Sequence, residues 1–237
     1  MRKLLISGVA AVLLAAGSLA TASAAGKTPN VFPPQSHPRG LSYGEWQVRW
    51  SQWQLGSTAG LDAAFDETGA NCLAGLQPKR VWFATLVTHS GTTTRSCTLP
   101  AGTALFFLTV QNECSNIEPP PFFGSTEAEL RECAAAGFDL AFSGPVSLSV
   151  DGVAVPNLRS FRTQTPLFQY TLPADNLFGF PAGTTATAAI SDGMYVMLKP
   201  LHRGTHTIAV HIESDALGNV DEIYNVTITG PGGDEED

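Results

Sequence analysis

The chain has 237 residues, 43% of them apolar, and carries 21 acidic against 13 basic side chains, for a formal net charge of -8. An acidic, lysine-poor surface repels nucleic acid and anionic membrane surfaces, so no nucleic-acid partner is expected and an anionic membrane surface is a poor candidate. The length suffices to bury a sizeable core as one β-domain, or as one domain with an appendage.

At the N-terminus, Arg2 and Lys3 form a positive region, Leu4 to Ala20 is apolar with small residues interspersed, and Ala22-Ser23-Ala24 fits a cleavage site. Residues 1–24 therefore read as a secretory signal peptide of bacterial type. The apolar run is short for a span and a cleavage site follows it, which argues against an anchor. No cysteine stands just after the site to take a lipid. The expected mature chain begins near Ala25, is secreted or periplasmic, and makes no membrane insertion after cleavage. Loss of Arg2 and Lys3 takes its formal charge to -10. Residues 25–40 (AGKTPNVFPPQSHPRG) are rich in Pro and Gly and lack periodicity, so an extended surface lead-in is expected there.

Leu41 to Gly56 (LSYGEWQVRWSQWQLG) is the best-specified helix, expected near residues 43–55. Ser42 and Glu45 form an S-x-x-E capping box, Leu41 and Trp46 a hydrophobic staple, and Gly56 a left-handed stop. Trp46, Trp50 and Trp53 stand at i, i+4 and i+7 and so share one face, expected to dock on a β-sandwich as a structural aromatic face. An exposed stripe stacking on sugars is the alternative. Arg49 and Gln52 fall off that face. The loop that follows, STAGLDAAFDETGANC, offers Asp62, Asp66, Glu67 and Asn71 as turn and capping groups. It lacks the D-x-D-x-D-G spacing of a calcium loop.

From Val81 the pattern changes to period two. Val81–Val87 and Ala104–Val110 read as strands, joined by a Ser/Thr/Gly connection with a turn at Pro100-Ala101-Gly102. Gln111-Asn112-Glu113-Cys114 ends the second in polar groups, and the prolines of EPPPFFGS forbid helix. Thr126–Ala136 is expected as a second helix, with a Thr126/Glu129 capping box and Gly137 as stop. Further strands are expected at Val146–Val150, Val153–Val155, Leu158–Thr163, Leu167–Leu172, Thr184–Ile190, Met194–Leu198, Thr205–Ile212 and Glu222–Thr229. Asp151-Gly152 and Asp192-Gly193 are read among their turns. The sequon at Asn225-Val226-Thr227 falls inside a strand. Short strands at regular spacing describe a mainly β fold: a sandwich or jelly-roll-like single domain over residues 41–229, with two short helices packed on it. The acidic tail, residues 230–237, is expected to be frayed, with a weak cation site there as the alternative.

The four cysteines, in an oxidising compartment, read as disulfides. Cys72–Cys97 and Cys114–Cys133 are favoured because each closes a loop of about twenty to twenty-five residues. A zinc site is the rival, without a C-x-x-C pair to support it. His202, His206, His211 and Glu213 cluster in sequence, but His206 and His211 have opposite strand parity, so no metal ligand set and no cofactor is assigned. Glycoside hydrolysis needs two facing carboxylates. Glu113, Glu118, Asp175 and Asp192 are the candidates, and nothing selects a pair. Serine-nucleophile, zinc-protease, phosphate-loop and dinucleotide signatures are absent.

Several motifs recur in order: Y-G-E-W-x3-W-x2-W at Tyr43–Trp53, D-x-T-G-x-x-C at Asp66–Cys72, and Q-x3-V-W-F at Gln77–Phe83. They continue as R-x-C-x-x-P-A-G-x-A-L-F-F at Arg95–Phe107, L-P-A-D-N-x-F-G at Leu172–Gly179, and S-D-G-x-Y-V-M-L-x-P-L-x-x-G-x-H-T-I at Ser191–Ile208. Together they resemble a family of uncharacterised secreted bacterial proteins. The resemblance implies an exported, disulfide-bonded globular protein and carries over no catalytic residue. Pro78-Lys79-Arg80 departs from it, where a Gly would be expected before V-W-F, which points to a different turn. The resulting expectation is an exported, non-catalytic binding or scaffold protein for an envelope glycan or a protein partner. Arg49, Glu113, Asp175, Asn176 and Asp192 are its candidate binding residues. An extracellular polysaccharide hydrolase using a carboxylate pair is the alternative.

Overall fold

A computed structural model describes residues 28–58, 60–87, 89–214 and 218–230. The expected signal peptide and the acidic tail beyond Gly230 lie outside them. The chain runs α1 (Tyr43–Gly56), β1 (Leu76–Gln77), β2 (Val81–Ala84), β3 (Gly91–Pro100), β4 (Ala104–Ser115) and α2 (Glu127–Ala141). It continues through β5 (Val146–Val150), β6 (Val153–Ala154), β7 (Arg162–Gln164), β8 (Phe168–Thr171), β9 (Thr185–Leu198), β10 (Gly204–Ser214) and β11 (Gly218–Thr229). One sheet has the order β1-β2-β4-β9-β7, with β8 also on β9; the other has the order β3-β11-β10-β5-β6. The mainly β sandwich with two helices is thus the observed architecture.

The two sheets differ because their surroundings differ. β10 alternates: Ile208, Val210 and Ile212 are buried, while Thr207 and Glu213 are exposed, as for a sheet with one solvated face. In the first sheet VWFA of β2 and the run from Ala104 to Val110 of β4 are buried at every position. Such continuous apolar runs belong to strands covered on both faces. Phe107 and Trp82 meet Tyr224 of β11 on one face, and Phe106 and Phe83 meet Trp46 on the other.

α1 forms as its caps dictate: Ser42 Oγ accepts from Glu45 N, and Glu45 Oε2 accepts from Ser42 N at 2.7 Å. Trp46 and Trp50 are 0% and 1% exposed, and Trp53 is partly buried against the same core. Each indole N–H reaches a different carbonyl: Trp46 to Pro38 (2.7 Å), Trp50 to Ala84 (2.9 Å), Trp53 to Ala74 (3.0 Å). The helix therefore clips the lead-in, the end of β2 and the loop before β1 to one sheet, and no buried indole donor goes unpaired. Disulfides join Cys72 to Cys97 and Cys114 to Cys133.

Several boundaries differ from expectation, each for a local reason. Gly91–Pro100 is a ten-residue strand rather than a connection; Thr93, Arg95, Cys97 and Leu99 point inward, so an arginine and hydroxyls stand where an apolar alternation would have announced it. Asp192-Gly193 is not a turn. It lies inside β9, which unites the two strands expected on either side. A Cβ on Gly193 would fall 2.8 Å from both Gln111 Cβ and Tyr195 Cε2, so this glycine serves close packing. α2 runs through Gly137 to Ala141, because a Cβ there would meet Asn112 Nδ2 at 2.3 Å; the glycine seats the helix and does not end it. Gly56 closes α1 without a left-handed φ, and the Ser57 hydroxyl donates to Trp53 O instead. Leu158–Phe161 is a 3-10 turn ahead of β7. The lead-in is partly paired: Val31 bridges Leu198, and Phe32 N donates to Met197 O. Lys79 and Arg80 both take positive φ, at 63° and 54°, in the turn between β1 and β2.

Candidate functional site

β2 follows β4 in parallel register only as far as Ala84 opposite Phe107. β4 continues for eight more residues, and at Thr109 it bulges, shifting its register against β9 between Leu108 and Val110. Thr109 Oγ1 donates to Met194 O at 2.7 Å, which holds the extra residue. Bulges re-aim side chains in this way. Where β2 ends, a cleft of about 310 Å³ opens between α1 and the second sheet. Its walls are apolar: Trp50 and Leu55 of α1, Leu86 and Val87 after β2, Leu108 and Val110 of β4, Phe142 after α2, and Ile212 and Val220 of the second sheet. Ala64 and Leu177 reach it from loops. Among the described residues no Lys, Arg, Asp or Glu lines it, and the polar members are Gln54, Thr85, His89, Thr109 and Gln111.

A buried polar web lies behind one wall. Gln54 Nε2 donates to Asp62 Oδ1, which also accepts from Ala64 N at 2.8 Å. Arg95 Nε stands 2.9 Å from Glu222 Oε1, with both side chains almost wholly buried. Val87 N donates to Glu222 Oε2 (3.3 Å), and Tyr224 OH to Thr85 O (2.6 Å). Burial pushes the Glu222 carboxyl up to about 7 against the downward pull of Arg95. Burial likewise raises Asp62. These groups fix Thr85 to Val87 as the chain leaves β2.

The five expected binding residues do not converge, and none lines the cleft. Arg49 is exposed, its guanidinium 5.3 Å from the Trp46 ring centroid. Asp175 is exposed on a loop. Asn176 spends its side chain on that loop, donating to Pro173 O and Phe180 O and accepting from Phe178 N and Phe180 N. Asp192 is buried against Arg162 at 2.9 and 3.0 Å, and Arg162 also reaches Asp139 of α2 (2.6 Å), so the pair fastens α2 to β9. Glu113 and Glu118 lie close enough to perturb one another, and Ser115 Oγ donates to Glu118 Oε2 at 2.8 Å. Burial, and for Glu113 its partner's charge, raises both carboxyls. His206 pairs with Asp151 and His211 with Asp221, on opposite faces of β10. Among the described residues no group of three His, Cys, Asp or Glu could hold a metal ion, and no helix is long and apolar enough to cross a membrane.

Sequence reading missed Gln54 and Gln111. The signal was present for the first: Gln47, Trp50 and Gln54 share one helical stripe, so two glutamines sit on the face expected to be aromatic and buried.

No family model and no curated protein matches the sequence. Among solved structures, the chain is similar to one described as "Structure of PbICP-C in complex with falcipain-2", at 13% identity and a TM-score of 0.27, over 62% of this chain and 98% of that one. A second, "Solution Structure of Amebosin", matches at 9% identity and a TM-score of 0.21, over 63% and 98%. Similarity at those scores carries no argument about function. The fold and the site define a disulfide-braced β-sandwich with an apolar cleft at the truncated edge of one sheet.

Proposed function

We propose that this is an exported, non-catalytic binding protein whose ligand site is the cleft beside the β4 bulge. The observation that carries the reading is the cleft itself, about 310 Å³ of apolar-walled space with a few polar side chains. That is the size and chemistry of a small-molecule pocket. The two disulfides fit an oxidising, extracytoplasmic compartment. Of the ligand classes raised by the sequence, an envelope glycan fits least, because a sugar needs convergent polar groups that these walls lack. An apolar small molecule fits best, and an apolar side chain of an envelope protein is the competing occupant.

Titrating the mature chain with the neutral apolar fluorophore N-phenyl-1-naphthylamine tests this. At roughly 0.4 kcal/mol per non-hydrogen atom, Kd is on the order of 10 μM. The expected result is saturable one-to-one binding that Ala64→Phe, which grows into the cleft from its loop, abolishes without altering the circular dichroism. Absence of saturable binding, or equal binding by Ala64→Phe, contradicts the reading.

A further inference from the structure

The cleft wall that follows β2 is tied to the second sheet through a buried ion pair. Thr85, Leu86 and Val87 line the cleft after the strand has ended at Ala84. Val87 N donates to Glu222 Oε2 at 3.3 Å, and Thr85 O accepts from Tyr224 OH at 2.6 Å and from Arg95 Nη1 at 3.3 Å. Glu222 Oε1 in turn holds Arg95 Nε at 2.9 Å, and Arg95 Nη1 also donates to Tyr224 OH. The carboxylate therefore fixes the wall twice, directly at Val87 and at Thr85 through the aim of the guanidinium. With both side chains at most 2% exposed, bulk water is not at hand to replace either contact. Hydrogen bonds to an ionised acceptor are about twice as strong as those to a neutral one, so the wall is tightest while Glu222 is charged.

The ionisable neighbours are Arg95 of β3, Tyr224 of β11, His89 on the wall itself and, acting on Arg95, Asp62 of the loop after α1. His89 pairs with Glu67 at 3.3 Å. Burial raises Tyr224, which stays neutral from pH 5 to 8. Burial also lifts Glu222 to about 7, so its charge is present above neutrality and lost as pH falls through it. Resting on the reading of the cleft as the ligand site, we propose that the Glu222 carboxylate is a latch on it. Charged and paired with Arg95, it holds Val87 and Thr85 in the wall; protonated, it loosens that wall and the cleft releases an apolar ligand.

The test is titration of residues 25–237 with N-phenyl-1-naphthylamine, uncharged throughout, at pH 8, 7, 6 and 5.5. Kd should rise about tenfold from pH 8 to 5.5, close to the worth of one hydrogen bond to a charged group. Most of that change should fall roughly between pH 7 and 6, because the ligand favours the ionised carboxyl and draws its titration down. Glu222→Gln, neutral at every pH, should bind at pH 8 as weakly as the native chain does at pH 5.5, and should vary less than twofold. Glu67→Gln, which lies outside the cleft, changes the titration of His89 and should leave the native profile in place. The Val87 amide of the unliganded native chain should titrate near pH 7 by NMR, which covers the case where Glu222→Gln fails to fold. Any of four results overturns the latch and leaves the cleft reading standing: a Kd that is flat or falls on acidification, a profile that moves with Glu67→Gln, a Val87 amide that does not titrate near pH 7, or Glu222→Gln that keeps the tenfold change or binds at pH 5.5 as tightly as the native chain at pH 8. Failure of the fluorophore to bind the native chain at pH 8 overturns both readings.

Discussion

Gly137→Ala gives a sign that helix propensity alone gets wrong. In the interior of an exposed helix the change stabilises by about 1 kcal/mol. Here the new methyl would lie 2.3 Å from Asn112 Nδ2 and 2.5 Å from its Cγ, so α2 or the Asn112 side chain must shift. Overpacking of that kind costs about 1–3 kcal/mol, leaving a net loss of roughly 0–2 kcal/mol. For a domain of this size that lowers Tm by about 2–4 °C per kcal/mol. Asn112 itself contributes little, since its bonds to Cys114 Sγ, Cys133 O and Ala134 O are all 3.4–3.5 Å. The double variant Gly137→Ala/Asn112→Ala should therefore recover what Gly137→Ala loses, with a coupling of about 1–3 kcal/mol in a thermal-melt cycle. A rise in Tm for Gly137→Ala alone would refute the close approach of α2 to β4.

Other substitutions probe the buried charges and crosslinks. Arg95→Met leaves the Glu222 carboxylate buried without its cation and should cost about 3–5 kcal/mol at pH 8 by urea unfolding. The loss should shrink at pH 5.5, where Glu222, already up to about 7, holds a proton; an equal loss at both pH values would count against it. Glu113 and Glu118 have raised folded pKa values, so between the unfolded value near 4.3 and their folded ones the native state holds protons the unfolded chain has released. Their contribution is therefore present at low pH and lost as pH rises. Glu113→Gln should be more stable than the native chain at pH 8 and should flatten the Tm-versus-pH slope above pH 5; an unchanged slope would contradict the raised carboxyls. Replacing both cysteines of either disulfide by serine should lower unfolding free energy by roughly 3 kcal/mol, given sequence separations of 25 and 19. A urea midpoint unmoved by the change would show that the loops are held by packing alone.

The fold was legible where local chemistry and burial agree. The Ser42/Glu45 and Thr126/Glu129 boxes mark both helix starts, and β10 alternates because one of its faces is wet. Legibility failed where tertiary contact overrode a local signal. Gly137 and Gly193 look like stops and turns, yet each is small because a neighbouring side chain needs the space. β3 hides because its inward positions include the polar Thr93 and Arg95, and Arg95 finds its partners only in tertiary structure, at Glu222 and Tyr224 of β11 and Thr85 after β2. The cleft was beyond sequence reading for a different reason. It arises from the premature end of β2 and a one-residue bulge in β4, and neither leaves a mark in composition or period. The acidic residues that drew attention are spent on Arg162, on a loop or on each other, while the glutamines that face the cleft were read as ordinary polar positions.

Locating a bound molecule on the protein is the most direct check. Methyl NMR of residues 25–237 titrated with N-phenyl-1-naphthylamine should show saturable shifts at Leu108, Ile212 and Val220, which line the cleft. Shifts centred instead on the outer face of the second sheet, at Thr98, Asn225 and Thr227, or shifts that never saturate, would contradict a ligand site at the end of β2.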